Sequence, residues 1–228
     1  MSDSNTGTYS KTALLNAYTL GAFAVAAALI LGLVYVGTKD RIDASRNLAE
    51  QKALLEVIGD YPHSNDLLND RLDLTPDEIQ TLNATESSQV YVIRSEGRVT
   101  GFIFPATAPD GYSGDISILA GLNLSGELLG VRVIEHKETP GLGDKVDLKK
   151  SNWILDFAGK SLSNPSVDSW AVTKDGGDFD SFTGATITPR SMVRRIRSVL
   201  EYYQLNRPSL IERAERSLVS AEQENDDH

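Results

Sequence analysis

From Thr12 to Thr38 the chain carries no charged residue, and Ala13 to Val36 is built almost wholly of Ala, Leu, Val, Ile, Gly and aromatic residues. As a helix rising about 1.5 Å per residue, that stretch is roughly 36 Å long, enough to cross a hydrocarbon core of about 30 Å with some tilt. Tyr18 and Tyr35 stand near its ends, where amphipathic rings favour the membrane interface, and Lys11, Lys39 and Arg41 bracket it. A cleaved signal peptide is the competing reading. The run exceeds an ordinary h-region, however, and Val34-Tyr35-Val36 lacks the small residues that a cleavage site needs. The sequence therefore predicts a retained single span in contact with a lipid bilayer. Lys39, Arg41, Arg46 and Lys52 follow the span whereas Lys11 and the amino terminus precede it, so a literal positive-inside count puts the rest of the chain in the cytoplasm. That rule is weakest for long translocated domains.

A chain of 228 residues holds one globular unit with a real core plus this appendage. Its net charge of −10 argues against nucleic acid as a partner, because such binders neutralise phosphates with clustered Lys and Arg. The absence of cysteine removes disulfides, iron–sulfur clusters, zinc–thiolate sites and thiol nucleophiles together. His63, His136 and His228 are scattered, with no ligand spacing on a shared helix face, so no protein-bound metal is expected. Any redox chemistry then rides on an organic cofactor or, despite that lack of ligand spacing, on a His/carboxylate metal.

The expected division is a tail over 1–12, the span over 13–36, a helical connector over 37–87, the main folded domain over 88–206, and a C-terminal helix with an acidic tail over 207–228. The helix leaves the membrane and ends at Gly59-Asp60-Tyr61-Pro62; Thr75-Pro76-Asp77-Glu78 opens a short second helix with a cap and a first-turn proline. Val90 to Ile93 and Val99 to Phe104 form a hairpin about Glu96-Gly97, and Ile116 to Leu122 and Leu128 to Ile134 form another about Ser125-Gly126. Asp147 to Phe157 reads as a helix, Trp170 to Thr173 as a short strand, and Thr188-Pro189 as the start of a helix burying Val193, Ile196, Leu200 and Tyr203. The tail beyond Val219 reads as disordered. The fold class is α+β: an N-terminal transmembrane helix plus one soluble domain with a mainly antiparallel sheet and packed helices.

Three glycine-rich loops are the candidates for chemistry: Gly111-Tyr112-Ser113-Gly114, Glu138-Thr139-Pro140-Gly141-Leu142-Gly143, and Asp180-Ser181-Phe182-Thr183-Gly184-Ala185-Thr186. Glycine lets a backbone approach a flat or anionic ligand with its N–H groups outward, and it equally serves an ordinary turn. In the second loop Pro140 stiffens a segment whose N–H groups lack ladder partners and need acceptors: a flavin, an anion or water. The third loop precedes a helix start, where free N–H groups and the dipole favour a phosphate. Arg190 and Arg194 either add charge there or point to solvent. Thr183, Thr186 and Thr188 read equally well as helix caps or as ligand residues. Phosphate-binding motifs of nucleotide folds are missing, which disfavours ATP and dinucleotides.

The segment Asp180 to Thr186, Asp-x-x-Thr-Gly-Ala-Thr, resembles the flavinylation motif of the FMN-binding domain family, found in the G subunit of Rnf electron transport complexes and the C subunit of sodium-translocating NADH:quinone reductases. His136 to Gly143 and Gly111 to Gly114 are similar to the family's flavin-lining loops, and the N-terminal span stands where the family has one. The resemblance implies FMN bound covalently as a phosphoester on Thr186, within an FMN-binding domain over 88–206. It implies cofactor contacts from Tyr112, Ser113, Glu138, Thr139, Gly141, Leu142, Gly143, Thr183, Gly184 and Ala185. Glu138 and Thr139 are the polar candidates, and Tyr112 and Leu142 the apolar walls.

No Ser-His-Asp or Cys-His set is available to activate the Thr hydroxyl, so self-attachment is disfavoured. The family implies a separate Mg²⁺-dependent flavin transferase that uses FAD and recognises Asp180, Thr183, Gly184, Ala185 and Thr186. The implied function is electron relay in an ion-translocating ferredoxin/NAD oxidoreductase, beside other membrane subunits of that complex and without a substrate of its own. The family sets the soluble domain on the periplasmic side of the bacterial inner membrane, against the charge count, and that placement is the expectation. The C subunit of the quinone reductase is an alternative, as are a free-standing flavin reductase and a cofactor-free membrane-tethered scaffold.

Overall fold

The uncharged stretch is helical throughout and its helix does not stop at the end of the apolar run: α1 spans Thr6–Ile58. The computed structural model describes residues 6–226, with side chains described over 16–218 apart from positions 40, 43 and 46. The first residues of the expected tail and the last two of the chain lie outside the described residues, as do the side chains of Lys11 and Arg46. The chain divides into two compact units, Met1–Ala49 and Glu50–His228. In the first, Asn16–Lys39 is long and apolar enough to cross a membrane, and Leu20, Phe23, Leu31 and Leu33 are all exposed. A helix that exposes large apolar side chains on every face has no buried stripe to pack in water.

In the second unit, Gly59 takes a positive φ of 55° and ends α1. Thr75 and Glu78 then form a reciprocal capping box at the start of α2, Pro76–Leu82. The strands are β1 (Arg71–Asp73), β2 (Gln89–Ser95), β3 (Arg98–Gly111), β4 (Gly114–Asn123) and β5 (Leu128–Glu135). They pair antiparallel in the order β1-β2-β3-β4-β5. The Glu96-Gly97 turn carries positive φ at both residues, 51° and 76°, the twist that a two-residue hairpin turn requires.

Period-two alternation sorts the strands onto two buried faces. Val90, Val92, Phe102, Phe104, Ile116, Ile118 and Leu122 face one core with the C-terminal helix α3, Ile187–Asp226, which contributes Val193, Ile196, Leu200 and Tyr203. Tyr91, Ile93, Ile103 and Leu119 face a smaller core with Leu54, Val57 and Ile58 from the end of α1. The close approach of α1 depends on glycine: a Cβ on Gly121 would stand 2.6 Å from Val57 Cγ1.

Several expectations are corrected. Of the helix read over Asp147 to Phe157 only its second half forms, as the 3₁₀ turn Asn152–Phe157, which starts where Ser151 accepts from the Trp153 N–H; a separate 3₁₀ turn, Gly143–Val146, lies just before the predicted start. Trp170 to Thr173 is no strand, because Val172 makes only an isolated bridge, to Phe179. α3 begins earlier than Thr188-Pro189: the Arg190 N–H donates to Thr186 O at 3.2 Å, making Thr186 the cap. At the far end α3 continues to Asp226, through the acidic tail that composition alone marks as disordered.

Candidate functional site

The apolar alternation in sequence fades near Phe104, but the strands of the β3–β4 hairpin run on to Gly111 and Gly114, so the first glycine loop is the tip of that hairpin. The second loop follows β5 directly and the third leads into α3. The first two loops and the first turn of α3 meet at Glu138, which is 5% exposed. Its Oε1 accepts the Ser113 N–H at 3.0 Å, and its Oε2 accepts the Thr188 hydroxyl at 2.6 Å. One buried carboxylate thus ties the hairpin tip to the helix end while belonging to the loop between them. A Cβ on Gly143 would stand 2.9 Å from Thr188 Oγ1, so glycine is what allows this approach. Leu142 completes the convergence, its Cδ2 lying 3.7 Å from where a Cβ of Gly184 would be.

Most amides of the second loop find acceptors within the chain, against the sequence reading. The N–H groups of Leu142, Gly143 and Asp144 converge on Thr139 O at 3.1, 3.1 and 3.4 Å, that of Gly141 donates to Asp144 Oδ1 at 2.8 Å, and that of Glu138 to His136 Nδ1 at 3.1 Å. Asp144 is buried, and sequence reasoning misses its role. A carboxylate three residues after Gly141 is the signal that could have found it.

The third loop is a tight turn on an aromatic base. Ala185 N–H donates to Phe182 O at 3.1 Å, and Gly184, third in the turn, has φ of 81°, which favours glycine. Thr183 and Gly184 are exposed at the tip, while Ala185 packs partly buried against the main core. Beneath, Trp153 meets Phe182 and Phe157 edge-on, each at 5.1 Å, and Phe157 stacks on Phe179 at 4.7 Å. Trp153 Nε1 donates to Asp180 O at 2.9 Å, which fixes the backbone there while the residue stays exposed.

Thr186 is half-buried, and its Oγ1 accepts from Lys174 Nζ at 2.8 Å. Among the described residues no first-turn amide takes that hydroxyl, so Thr186 caps α3 through its carbonyl alone. Nothing in the sequence singles out Lys174. Arg190 and Arg194 are surface residues, each held in an ion pair. Arg190 grips Asp175 at 2.5 and 2.7 Å, holding that carboxyl below the usual range, and Arg194 pairs with Asp110 at 2.7 Å, beside the hairpin tip. Tyr112, Leu142 and Ile187 are exposed at 68%, 43% and 46%, next to residues tied to Glu138 or to the turn. The arrangement offers a rigid, glycine-backed set of loops with an apolar rim and a cationic helix start.

Two parts of the chain match family descriptions: residues 111–201 the FMN-binding domain, and residues 1–57 the RnfG N-terminal region. The chain is 43% identical over 201 residues to the G subunit of the ion-translocating oxidoreductase complex of Pseudomonas aeruginosa (strain UCBPP-PA14), covering 88% of this chain and 93% of that one. It is 44% identical over 194 residues to the protein of the same name from Haemophilus influenzae (strain PittEE), covering 85% and 90%. Among solved structures it is similar to Shewanella oneidensis NqrC, with a TM-score of 0.40 and 23% identity over 61% of this chain and 67% of that one. All three converging loops fall within the 111–201 match. Relatives this similar along nearly their whole length establish that the chain belongs to the G-subunit family of ion-translocating oxidoreductase complexes, with the clamped loops inside its FMN-binding domain.

Proposed function

We propose that this chain is a single-span flavoprotein subunit that carries FMN through a phosphoester on Thr186 and relays electrons within an Rnf-type ion-translocating complex. The observation that carries the reading is the setting of Thr186. Its hydroxyl sits at the start of a 40-residue helix, 2.8 Å from an ammonium group, and the first turn of that helix is tied to the other two loops by one buried carboxylate. A helix N-terminus and a cation favour a phosphate.

The residues fit the cofactor. Glycine backs the loops at Gly143, where a side chain would run into Glu138 and Thr188, and at Gly184, whose positive φ favours it, and space is open beside Gly114 and Gly141. Tyr112, Leu142 and Ile187 supply uncovered apolar surface for a flat ring. FMN, when bound, supplies the redox chemistry, with a ring system that takes up and gives back electrons. The protein's part is to orient that ring and tune it by hydrogen bonding and dielectric. Glu138 does this by positioning: both of its oxygens are engaged by the chain, so it shapes the cradle rather than offering a free acceptor. Thr139, whose carbonyl gathers three amides, does the same for the second loop. Ser113, Gly141, Thr183 and Ala185 complete the contacts.

Loading is the work of a separate FAD-dependent flavin transferase, for which the exposed Asp180, Thr183 and Gly184 are the recognition surface together with Ala185 and Thr186. The apolar part of α1 crosses the inner membrane, the soluble unit lies on the periplasmic side, and the electron partners are other membrane subunits of the complex. In-gel flavin fluorescence after denaturation, with the transferase coexpressed, tests the attachment: wild type fluoresces and Thr186→Ala does not. Equal signals would overturn the reading. Protease added to spheroplasts degrades the soluble unit if it is periplasmic, and its protection would refute that placement.

A further inference from the structure

Lys174 belongs to none of the three glycine loops, yet its ammonium is the group in contact with the Thr186 hydroxyl. We propose that Lys174 is a positioning residue for cofactor attachment, orienting Thr186 Oγ1 before the reaction and neutralising the phosphoester after it. The proposal rests on the reading of Thr186 as the FMN acceptor.

Three observations carry it. First, the segment bearing Lys174 is fastened to the same helix end as Thr186. Lys174 is the middle residue of the 3₁₀ turn Thr173–Asp175, and the next residue, Asp175, is held by both Arg190 Nε and Nη2 from the first turn of α3. Second, the other two cations here are already matched, Arg190 with Asp175 and Arg194 with Asp110. Lys174 forms no direct ion pair among the described residues: its ammonium meets a neutral hydroxyl, and the neighbouring Asp175 is already gripped by Arg190, so Lys174 is the cation here best placed to take an incoming anion. Third, Thr186 Oγ1 accepts from Lys174, which leaves its own proton directed elsewhere and open to a base.

In the attachment step, Thr186 Oγ1 forms a bond to the flavin-side phosphorus of FAD. The P–O bond of the pyrophosphate breaks, AMP leaves with the bridging oxygen and its electron pair, and the hydroxyl proton passes to a base of the transferase. Nothing is oxidised or reduced. Charge stays on the phosphoryl oxygens throughout. A lysine suits this better than a fixed guanidinium fork, because its three donors on a flexible stem can follow that charge from the hydroxyl oxygen to the oxygens of the ester.

The test uses the full-length apoprotein in detergent with purified transferase, FAD and Mg²⁺, following covalent flavin by intact mass and in-gel fluorescence. For Lys174→Gln we expect kcat with the protein substrate to fall by about tenfold, with KM moved by no more than about twofold. Lys174→Arg, which keeps the charge but not the mobile ammonium, should recover part of that loss, and the thermal midpoint of the Lys174→Gln apoprotein should match wild type because the side chain is exposed. Wild-type kcat for Lys174→Gln alongside an unlabelled Thr186→Ala would overturn the role of Lys174 and leave the acceptor reading standing. So would a loss confined to KM, which marks simple recognition, or a loss that Lys174→Arg fails to recover with a lowered midpoint, which marks a structural defect. Full labelling of Thr186→Ala would overturn the acceptor reading itself.

Discussion

Thr188 donates its hydroxyl proton to Glu138 Oε2 over 2.6 Å, across 50 residues of sequence, and both side chains are buried. The bond closes the second glycine loop onto the first turn of α3. Removing the donor orphans a buried carboxylate oxygen, and such losses cost about 1–3 kcal/mol. Thr188→Val keeps the shape and loses the hydroxyl, so its unfolding free energy in urea should fall by about that amount with an unchanged m-value. Glu138→Gln should also reduce transferase loading, because it loosens the hold on the Ser113 amide at the same time.

Gly141 and Gly143 stand two residues apart and should respond differently to alanine. Gly141 has φ of 78° and open space around its missing Cβ, so Gly141→Ala carries backbone strain alone, about 1–2 kcal/mol. Gly143→Ala drives a methyl group between Glu138 and Thr188, backed by loop and helix that cannot both retreat. We expect it to destabilise more than Gly141→Ala in thermal denaturation and to lower flavin loading further. Equal effects would mean that the clamp is slack.

Glu78 gives the domain a defined acid response. Burial pushes its carboxyl up, but hydrogen bonds from Tyr202, the Thr75 N–H and Arg213 outweigh that and hold it below its ordinary 4.5. A group depressed in the folded state adds stability that is present above its unfolded value and lost as pH falls through its folded one. Wild type should therefore lose stability below about pH 4.5 more steeply than Glu78→Gln, which starts lower at pH 7 and does not titrate. Denaturant titrations across that window check the difference in slope.

Trp153 anchors the third glycine loop through a hydrogen bond separable from its packing. Trp153→Phe keeps a ring against Phe157 and Phe182 but loses the donor to Asp180 O. One such bond is worth about 1 kcal/mol, to which the smaller ring adds some lost packing. The expected outcome is a modest drop in midpoint with a clear loss of transferase turnover, since Asp180 is no longer held in place. Unchanged turnover would separate the anchor from recognition.

What can be read from the sequence is what local pattern dictates. The alternating strands, the Glu96-Gly97 turn and the cap and first-turn proline at Thr75-Pro76 all appear as read, since each is set within a few residues. The misses are tertiary. Leu148, Trp153 and Phe157 look like one helix stripe, yet Ser151 restarts the chain and the aromatics form a platform under a loop instead. Thr188 looks like a cap until its hydroxyl is seen spent on Glu138, which leaves the cap to Thr186. Lys174 acts on a residue 12 positions away and Asp144 inside a loop whose amides look unpaired in sequence. No periodicity marks either. The family motif, by contrast, directs attention to Thr186 before any of its neighbours are known.

The bonds that seat α3 also set an order of events in biosynthesis. Arg94 Nη2 donates to Ala214 O, Arg213 pairs with Glu78, and Tyr202 donates to Glu78, joining positions 120, 135 and 124 residues apart. Every one of these partners on α3 is translated after Thr186. A nascent chain that has just exposed Thr186 from the ribosome therefore has no seated helix behind it, and its hydroxyl is one more threonine in an open loop. Only a chain made past Ala214 and folded presents that residue at a seated helix start, so the proposed modification at this position would double as a check that α3 has been made and docked.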